Sequence, residues 1–416
     1  MEGAGRLAER IAGIVLAGGL GTRLFPLTQS RCKPAVGFGG RYRLIDIPLS
    51  NALNSKITQL FVISQHFAST LHHHILTTYR FDLLRKGGIE LLSPEEAHEK
   101  KIWFEGTADA VRKNLDHILQ STADYFLILS GDQLYNMDLE AFVQFAVDKK
   151  ADMVVASLYV DASEAQRMGV MKTDEAFCIK EFYEKPKEKS VIDRFQAPKG
   201  ILASMGIYVF RRDVLFQLLQ EQGNDFGHHL IPFQAAKGNS FSYVYEGYWV
   251  DIGTIKSFYD ANMALLERNH CLNTYDETHP IFTLPQNLPS PFLQEAHVKQ
   301  SYISQGSIVE GAEIDHSILG MRCCIKKGTR IHRSILMGNQ FYAPPAHQHP
   351  PLPSSFHVGE NCLIEKAIID EHASIGNGVQ LVNKKNLQTY QGEGICIRDG
   401  IIIVQAGATI PNGFKL

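Results

Sequence analysis

The apolar run Gly13-Ile14-Val15-Leu16-Ala17 passes directly into a loop that holds Gly18, Gly19 and Gly21. A strand with no polar alternation must be covered on both faces, which favours a parallel sheet flanked by helices. Further runs of the same kind follow: Leu60–Ser64, Tyr125–Leu129, Met153–Ala156 and Ile207–Phe210. Helical stretches separate them, so the spacing predicts an α/β domain whose sheet is mostly parallel and covered on both faces. Ligands of such sheets bind beyond the carboxyl ends of the strands. Two of the runs lead straight into polar motifs there, the glycine loop after Ala17 and Ser130-Gly131-Asp132 after Leu129.

The chain has 416 residues, too many for one ordinary core. Its texture changes near Tyr275, where Pro280, Pro285, Pro289 and Pro291 read as an extended connector. Beyond it, apolar residues recur six apart: Ile308 and Ile314, Ile325 and Ile331, Ile369 and Ile375, Ala373 and Val379. A six-residue period with turn residues between is the pattern of a parallel β-helix. The expected organisation is a catalytic domain over 1–274, a Pro-rich linker over 275–295 and a β-helix over 296–416. A Pro/His-rich stretch, Phe341 to His357, reads as a loop in which His347 and His349 are solvated.

A net charge of −3 gives no electrostatic reason to expect nucleic acid or an anionic membrane as partner. Residues 1–11 lack the long apolar core of a signal peptide, and no apolar stretch reaches bilayer length. Seven scattered cysteines without a CxxC pair fit reduced thiols, and the expected location is cytoplasmic. His72-His73-His74 reads as a mostly solvated helical stretch, because neighbouring helix residues point in different directions.

The string Leu16-Ala17-Gly18-Gly19-Leu20-Gly21-Thr22-Arg23-Leu24, with Lys33-Pro34 downstream, carries the most specific chemistry. Glycines let backbone N–H groups approach a phosphate, and Arg23 and Lys33 add two cations. An acidic residue after a strand, as at Asp132, is by itself more often a turn former. Glu184-Lys185-Pro186 alone would be a charged surface loop.

The string resembles the signature of the sugar-nucleotide pyrophosphorylases. Residues 42–51 (YRLIDIPLSN), 103–111 (WFEGTADAV) and 130–135 (SGDQLY) look like the ADP-glucose pyrophosphorylases in particular. So do Glu184-Lys185-Pro186, residues 204–208 (SMGIY) and 248–254 (YWVDIGT). The tail, with residues 401–404 and 408–413, is closer to the plant and cyanobacterial branch.

The resemblance implies an α/β fold, a Rossmann-like nucleotidyltransferase domain with a mixed, mostly parallel sheet, followed by a C-terminal left-handed parallel β-helix. It implies transfer of an adenylyl group from ATP to glucose 1-phosphate, giving ADP-glucose for glycogen or α-glucan synthesis and releasing pyrophosphate. By the same resemblance Arg23, Lys33 and Asp132 are catalytic. Leu16, Ala17, Gly18, Gly19, Gly21, Thr22, Gln65, Trp103, Gly106 and Thr107 bind the nucleotide. Gly169, Glu184, Lys185, Ser204, Asp225 and Trp249 form the glucose 1-phosphate pocket. Asp132 and Asp251 hold Mg²⁺, and the β-helix builds a homotetramer.

Departures from the pattern concern regulation and the base. Members of the family bind phosphorylated activators through lysines, and Ser30, Glu371 and Gln405 or Ala406 stand where those lysines are expected. Weak activation is expected, Glu371 repelling a phosphate. Glu95 and Glu96 replace a glutamine pair near the nucleotide, so UTP- or dTTP-dependent chemistry is the alternative. A non-catalytic regulatory subunit is disfavoured by Arg23, Lys33, Asp132 and Lys185 all being present.

Overall fold

The computed structural model describes residues 7–81, 87–94, 96–97, 100–101, 103–267, 271–343 and 352–416. His347 and His349, and Glu95 with the side chain of Glu96, lie outside them. The described residues form two compact units. The first comprises the chain up to Gly19, Ile45–Trp249 and Thr274–Phe282; the second comprises Leu20–Leu44, Val250–Asn273 and Thr283–Leu416.

The first unit is built on one sheet. Its main path runs Ile179–Glu184, Gly169–Thr173, Gly200–Arg211, Tyr125–Ser130, Ile11–Ala17, Gln59–Ser64 and Gly88–Leu92. Ile11–Ala17 lies parallel to both Gln59–Ser64 and Tyr125–Ser130, with Leu16 opposite Ser130 and Ala17 opposite Ser64. These three strands are the apolar runs of the sequence, and their centres are buried. The run at Ile207–Phe210 belongs to a twelve-residue strand, Gly200–Arg211, which is antiparallel to its neighbours. Apolar content alone does not report strand direction, so this reversal was not legible in the sequence.

Helix Ala68–Thr78 turns Leu71, His74 and Ile75 inward at the spacing of a helical face. The histidine triplet is therefore not mostly solvated. His74 is buried and its Nε2 lies 2.6 Å from Asp46 Oδ1; His72 Nε2 lies 2.7 Å from Ser64 Oγ; only His73 is exposed.

The second unit contains the β-helix. Strands on one face start at residues 292, 308 and 324, on the next at 297, 313 and 330, and on the third at 302, 318 and 335, so one coil repeats every 16 or 17 residues. The first strand, Phe292–Gln294, falls inside the segment read above as connector. Each face is a parallel ladder that stacks like residues: Ile314 on Ile331 on Ile364 on Leu381, and Leu319 on Leu336 on Ile369 on Val404. These side chains form one buried cluster.

The expected pair Ile308 and Ile314 is off by one residue. Ile308 is half-buried and its neighbour Val309 faces the core, opposite Ile325. With short strands separated by turns, one extra residue moves the inward position, and a strict six-residue count misses it. Three antiparallel strands, Ile401–Val404, Ile395–Arg398 and Thr389–Gln391, end the third ladder.

Helix Ile255–Glu267 packs beside this β-helix. Tyr302 donates its hydroxyl to the Leu265 carbonyl at 3.0 Å, and Asn262 Oδ1 accepts from the Gly39 N–H at 2.9 Å.

The register makes a sharp prediction. Ile314→Ala opens a cavity in the ladder and should cost about 2–5 kcal/mol in a urea titration. Ile308→Ala should cost less than half as much. Equal losses would place Ile308 in the core and overturn the register.

Candidate functional site

Parallel pairing brings three strand ends side by side in the first unit. The turn after Ala17 lies between the ends of Gln59–Ser64 and Tyr125–Ser130, and the Gly131 N–H donates to the Leu16 carbonyl at 3.0 Å. Gly18 and Gly19 therefore stand between Gln65 on one side and Asp132 on the other. This is where the strand order reverses around Ile11–Ala17, the position at which open α/β sheets bind ligands. Asp132 is half-buried and accepts the Ser130 hydroxyl through Oδ1.

Gln65 is held as a rung of backbone would be. Its Oε1 accepts from the Phe104 N–H and its Nε2 donates to the Phe104 carbonyl at 3.4 Å. That grip places Trp103, whose exposed ring stacks on His66 with centroids 4.7 Å apart and planes 18° from parallel. An exposed aromatic face near a glycine turn at the strand ends is suited to stacking on a base.

Gly106 precedes helix Thr107–Lys113, and a Cβ there would stand 2.2 Å from the Asn224 carbonyl oxygen. Only glycine permits this approach. It lets the Ala108 and Asp109 N–H groups donate to that carbonyl at 2.9 and 3.1 Å. Thr107 Oγ1 donates to Asp225 Oδ2 and accepts from the Phe226 N–H, both at 3.0 Å. Asp225 also caps the π-helical turn Phe226–Leu230 by accepting the His228 N–H at 3.0 Å. Thr107 and Asp225, assigned above to different substrates, thus share one hydrogen-bonded junction.

Glu184 sits in a cradle of two glycines. A Cβ at Gly227 would lie 2.8 Å from its carboxyl carbon, and one at Gly169 would lie 2.6 Å from Oε2. Gly169 is the antiparallel partner of Glu184, so the close approach is fixed by sheet register. Lys185 follows with φ of 47°, a left-handed conformation uncommon for lysine. Its N–H donates to the Met168 carbonyl at 3.1 Å, and its Nζ lies 2.9 Å from Glu184 Oε1. Strain of this kind gathers at functional sites. The half-exposed ammonium and the recessed carboxylate make an adjacent cation and acceptor.

Ser204 is buried and its Oγ accepts from the Gly206 N–H at 3.1 Å. Burial, together with the nearby Glu184 and Asp225 carboxylates, pushes the Tyr208 hydroxyl well above its ordinary range, so Tyr208 stays a neutral partner for Ser204. Trp249 donates its indole N–H to Gln133 Oε1 at 3.4 Å, while Gln133 Nε2 donates to the Met205 carbonyl at 2.7 Å.

The second unit carries Gly21, Thr22, Arg23, Lys33 and Asp251. Gly21 is left-handed with φ of 62°, and a Cβ on it would meet Lys33 Cβ at 3.0 Å, so the turn packs directly on the lysine stem. Thr28 Oγ1 donates to the Gly21 carbonyl at 2.9 Å. Arg23 is exposed, Lys33 is buried, and Lys33 Nζ lies 3.9 Å from Asp251 Oδ1. A Cβ at Gly253 would come within 3.6 Å of the Arg23 guanidinium and 3.1 Å of Asp251 Oδ2. One arginine, one lysine and one carboxylate thus gather around the turn at residues 251–253.

Glu371 does not stand as an isolated charge. It is paired with Arg31, whose Nη1 lies 2.9 Å from Glu371 Oε1 and whose Nη2 bonds to Asp370. The cation that pairs with Glu371 lies far away in the sequence, and spacing could not reveal it.

Asp132 and Asp251 offer only oxygen donors, the half-buried one and an exposed one, which is the donor chemistry of Mg²⁺. Among the described residues no cluster of three or more His, Cys, Asp or Glu could enclose a metal. Mg²⁺ ordinarily takes one or two carboxylates and completes its shell with water and substrate phosphates, so each aspartate by itself has a donor chemistry that fits it.

Sequence reasoning missed Asn224, Gly227, Gln133 and the Arg31 pair. Gly227 follows Asp225 within the turn that it helps to form, and a glycine there is the signal that could have found it. Asn224 acts through its backbone carbonyl, which no side-chain pattern reports.

Comparison with known families agrees with this layout. Residues 12–268 match the model of the nucleotidyl transferase family. Residues 286–414 match that of the GLGC left-handed parallel β-helix domain. No described helix is long and apolar enough to cross a membrane. With a glycine turn at the switch of a mostly parallel sheet and a parallel β-helix later in the sequence, the chain belongs to the nucleotidyl transferase family and has the domain architecture of glucose-1-phosphate adenylyltransferase.

Proposed function

We propose that the chain transfers the adenylyl group of ATP to α-D-glucose 1-phosphate, giving ADP-glucose and pyrophosphate. The observation that carries this reading is the Glu184–Lys185 pair, set in its glycine cradle as an acceptor for sugar hydroxyls beside a cation for the sugar phosphate. The phosphate-binding turn supplies the second substrate's site.

A phosphate oxygen of glucose 1-phosphate attacks the α-phosphorus in line. The new P–O bond forms as the bond to the β-phosphate's bridging oxygen breaks, and its electron pair leaves with pyrophosphate. The nucleophile is already an anion, so no side chain need remove a proton. The protein's work is positioning and charge neutralisation. Arg23 and Lys33 draw charge from the leaving phosphates, while Gly18, Gly19 and Gly21 let the backbone approach. Lys185 orients the attacking phosphate and Glu184 fixes the sugar. Thr107 ties the nucleotide side to Asp225 on the sugar side. Gln65 and Trp103 face the base. Mg²⁺, held by Asp132 and Asp251, would supply neutralisation of the triphosphate.

The product would feed α-glucan synthesis in the cytoplasm, the β-helix building a homotetramer. Activation by sugar phosphates is expected to be weak, because Arg31 is committed to Asp370 and Glu371 and Glu371 itself stands where a lysine is expected.

The test of the reaction is turnover of glucose 1-phosphate with ATP, UTP and dTTP in turn, each with Mg²⁺. A preference for UTP or dTTP would change the base and keep the chemistry; no turnover with any would leave a regulatory subunit. Asp132→Asn should lower turnover about a hundredfold or more, the scale of lost transition-state charge stabilisation. Near-normal turnover in a folded Asp132→Asn protein would remove it from the metal site. Lys185→Ala should raise the KM for glucose 1-phosphate strongly and that for ATP little, the pattern of lost ground-state binding. The reverse pattern would move Lys185 to the nucleotide.

A further inference from the structure

Arg31 is a deeply enclosed cation of the second unit, with 6% of its side chain exposed. Two carboxylates meet it, Asp370 at 1% exposure and Glu371 at 15%. One of the Asp370 oxygens, Oδ2, is buried without a hydrogen-bond partner. Burial pushes the Asp370 carboxyl up, while Arg31, Arg43 and His372 outweigh burial at Glu371 and hold that carboxyl low.

Such a pair is a poor device for stability. Desolvating three charges costs several kcal/mol each, and apolar residues of similar volume often serve as well. What it supplies is position. The carboxylates sit at the end of strand Ala367–Ile369, in the middle of the third ladder, where Asp370 N–H donates to the Val404 carbonyl at 3.0 Å. Glu371 N–H donates back to Asp370 Oδ1 at 2.7 Å. The anchor is therefore rigid.

The other side of the pair leads to Lys33. Arg31 Nε donates to the Leu27 carbonyl at 3.0 Å, which closes the chain around it. Directly after it comes the 3-10 turn Lys33–Ala35, held by Ala35 N–H to the Cys32 carbonyl and Val36 N–H to the Lys33 carbonyl, both 3.0 Å. Arg43 bonds to the Ala35 carbonyl. The Lys33 stem touches Gly21, and Thr28 holds Gly21 from the other side. A shift of Arg31 would thus carry both Lys33 and the turn that ends in Arg23.

We propose that Arg31, gripped by Asp370 and Glu371, is a positioning residue that aims Lys33 at the triphosphate. The β-helix then acts on the reaction through its own side chains. This rests on Lys33 binding the triphosphate, as read above.

The test uses the full chain with Glu371→Gln, which leaves Asp370 to hold Arg31, and with Arg31→Met and Arg31→Lys. Glu371→Gln should raise the KM for ATP about tenfold and leave that for glucose 1-phosphate within about twofold, since only the triphosphate contact is moved. Arg31→Met should do more, and Arg31→Lys should recover part of the loss. In a Lys33→Ala background Glu371→Gln should add nothing, because both changes act through one contact. A lowered Tm with both KM values unchanged in Glu371→Gln would make the pair merely structural and overturn the proposal. Full additivity with Lys33→Ala would overturn it as well. ATP binding by equilibrium dialysis separates this from failure of the reaction itself. Should the unaltered chain turn over no triphosphate, weaker ATP binding by Glu371→Gln still supports positioning, and equal binding overturns it.

Discussion

Parallel pairing of Ile11–Ala17 with a neighbour on each side is the constraint on which the first unit depends. Because all three strands point the same way, their carboxyl ends lie together, and so do the residues that follow them. Glycines 18 and 19, Gln65 and Asp132 come from three distant parts of the chain and meet for this one reason. No single residue among them has to be drawn to the others. The strands are buried on both faces, so the arrangement carries the hydrophobic driving force of the whole sheet.

Around that core the polar groups are placed by close backbone approaches more than by side-chain reach. Gly106 touches the Asn224 carbonyl, and Gly169 and Gly227 close around Glu184. A Cβ in any of these places would overlap atoms of the site, which makes the glycines part of its shape. The left-handed Lys185 belongs to the same scheme, since its N–H is spent on Met168 and its ammonium is turned to Glu184.

In the second unit the same role falls to charge. Lys33, Arg23 and Asp251 are collected near one turn, and the segment that bears Lys33 is fastened by Arg31 to two carboxylates of the β-helix. A β-helix coil contacts only its neighbours, so its ladder is a stiff base for such a fastening. Such a base is what the proposed positioning of Lys33 requires.

The order of elements and the type of each domain were legible in the sequence, because apolar runs, glycine turns and a short repeat are local signals. Residues 13–17 announce a buried strand, and Ile325 with Ile331 announces a coil, whatever lies elsewhere. The candidate residues were legible only through the resemblance of their motifs, since Glu184-Lys185 alone is any charged loop. Tertiary structure decided what depends on distant partners: the direction of Gly200–Arg211, the inward turn of Val309 in place of Ile308, the burial of His74 against Asp46 and the pairing of Glu371 with Arg31. Each is a contact between residues far apart along the chain, and a local pattern does not encode which partner a side chain will meet once the chain has closed.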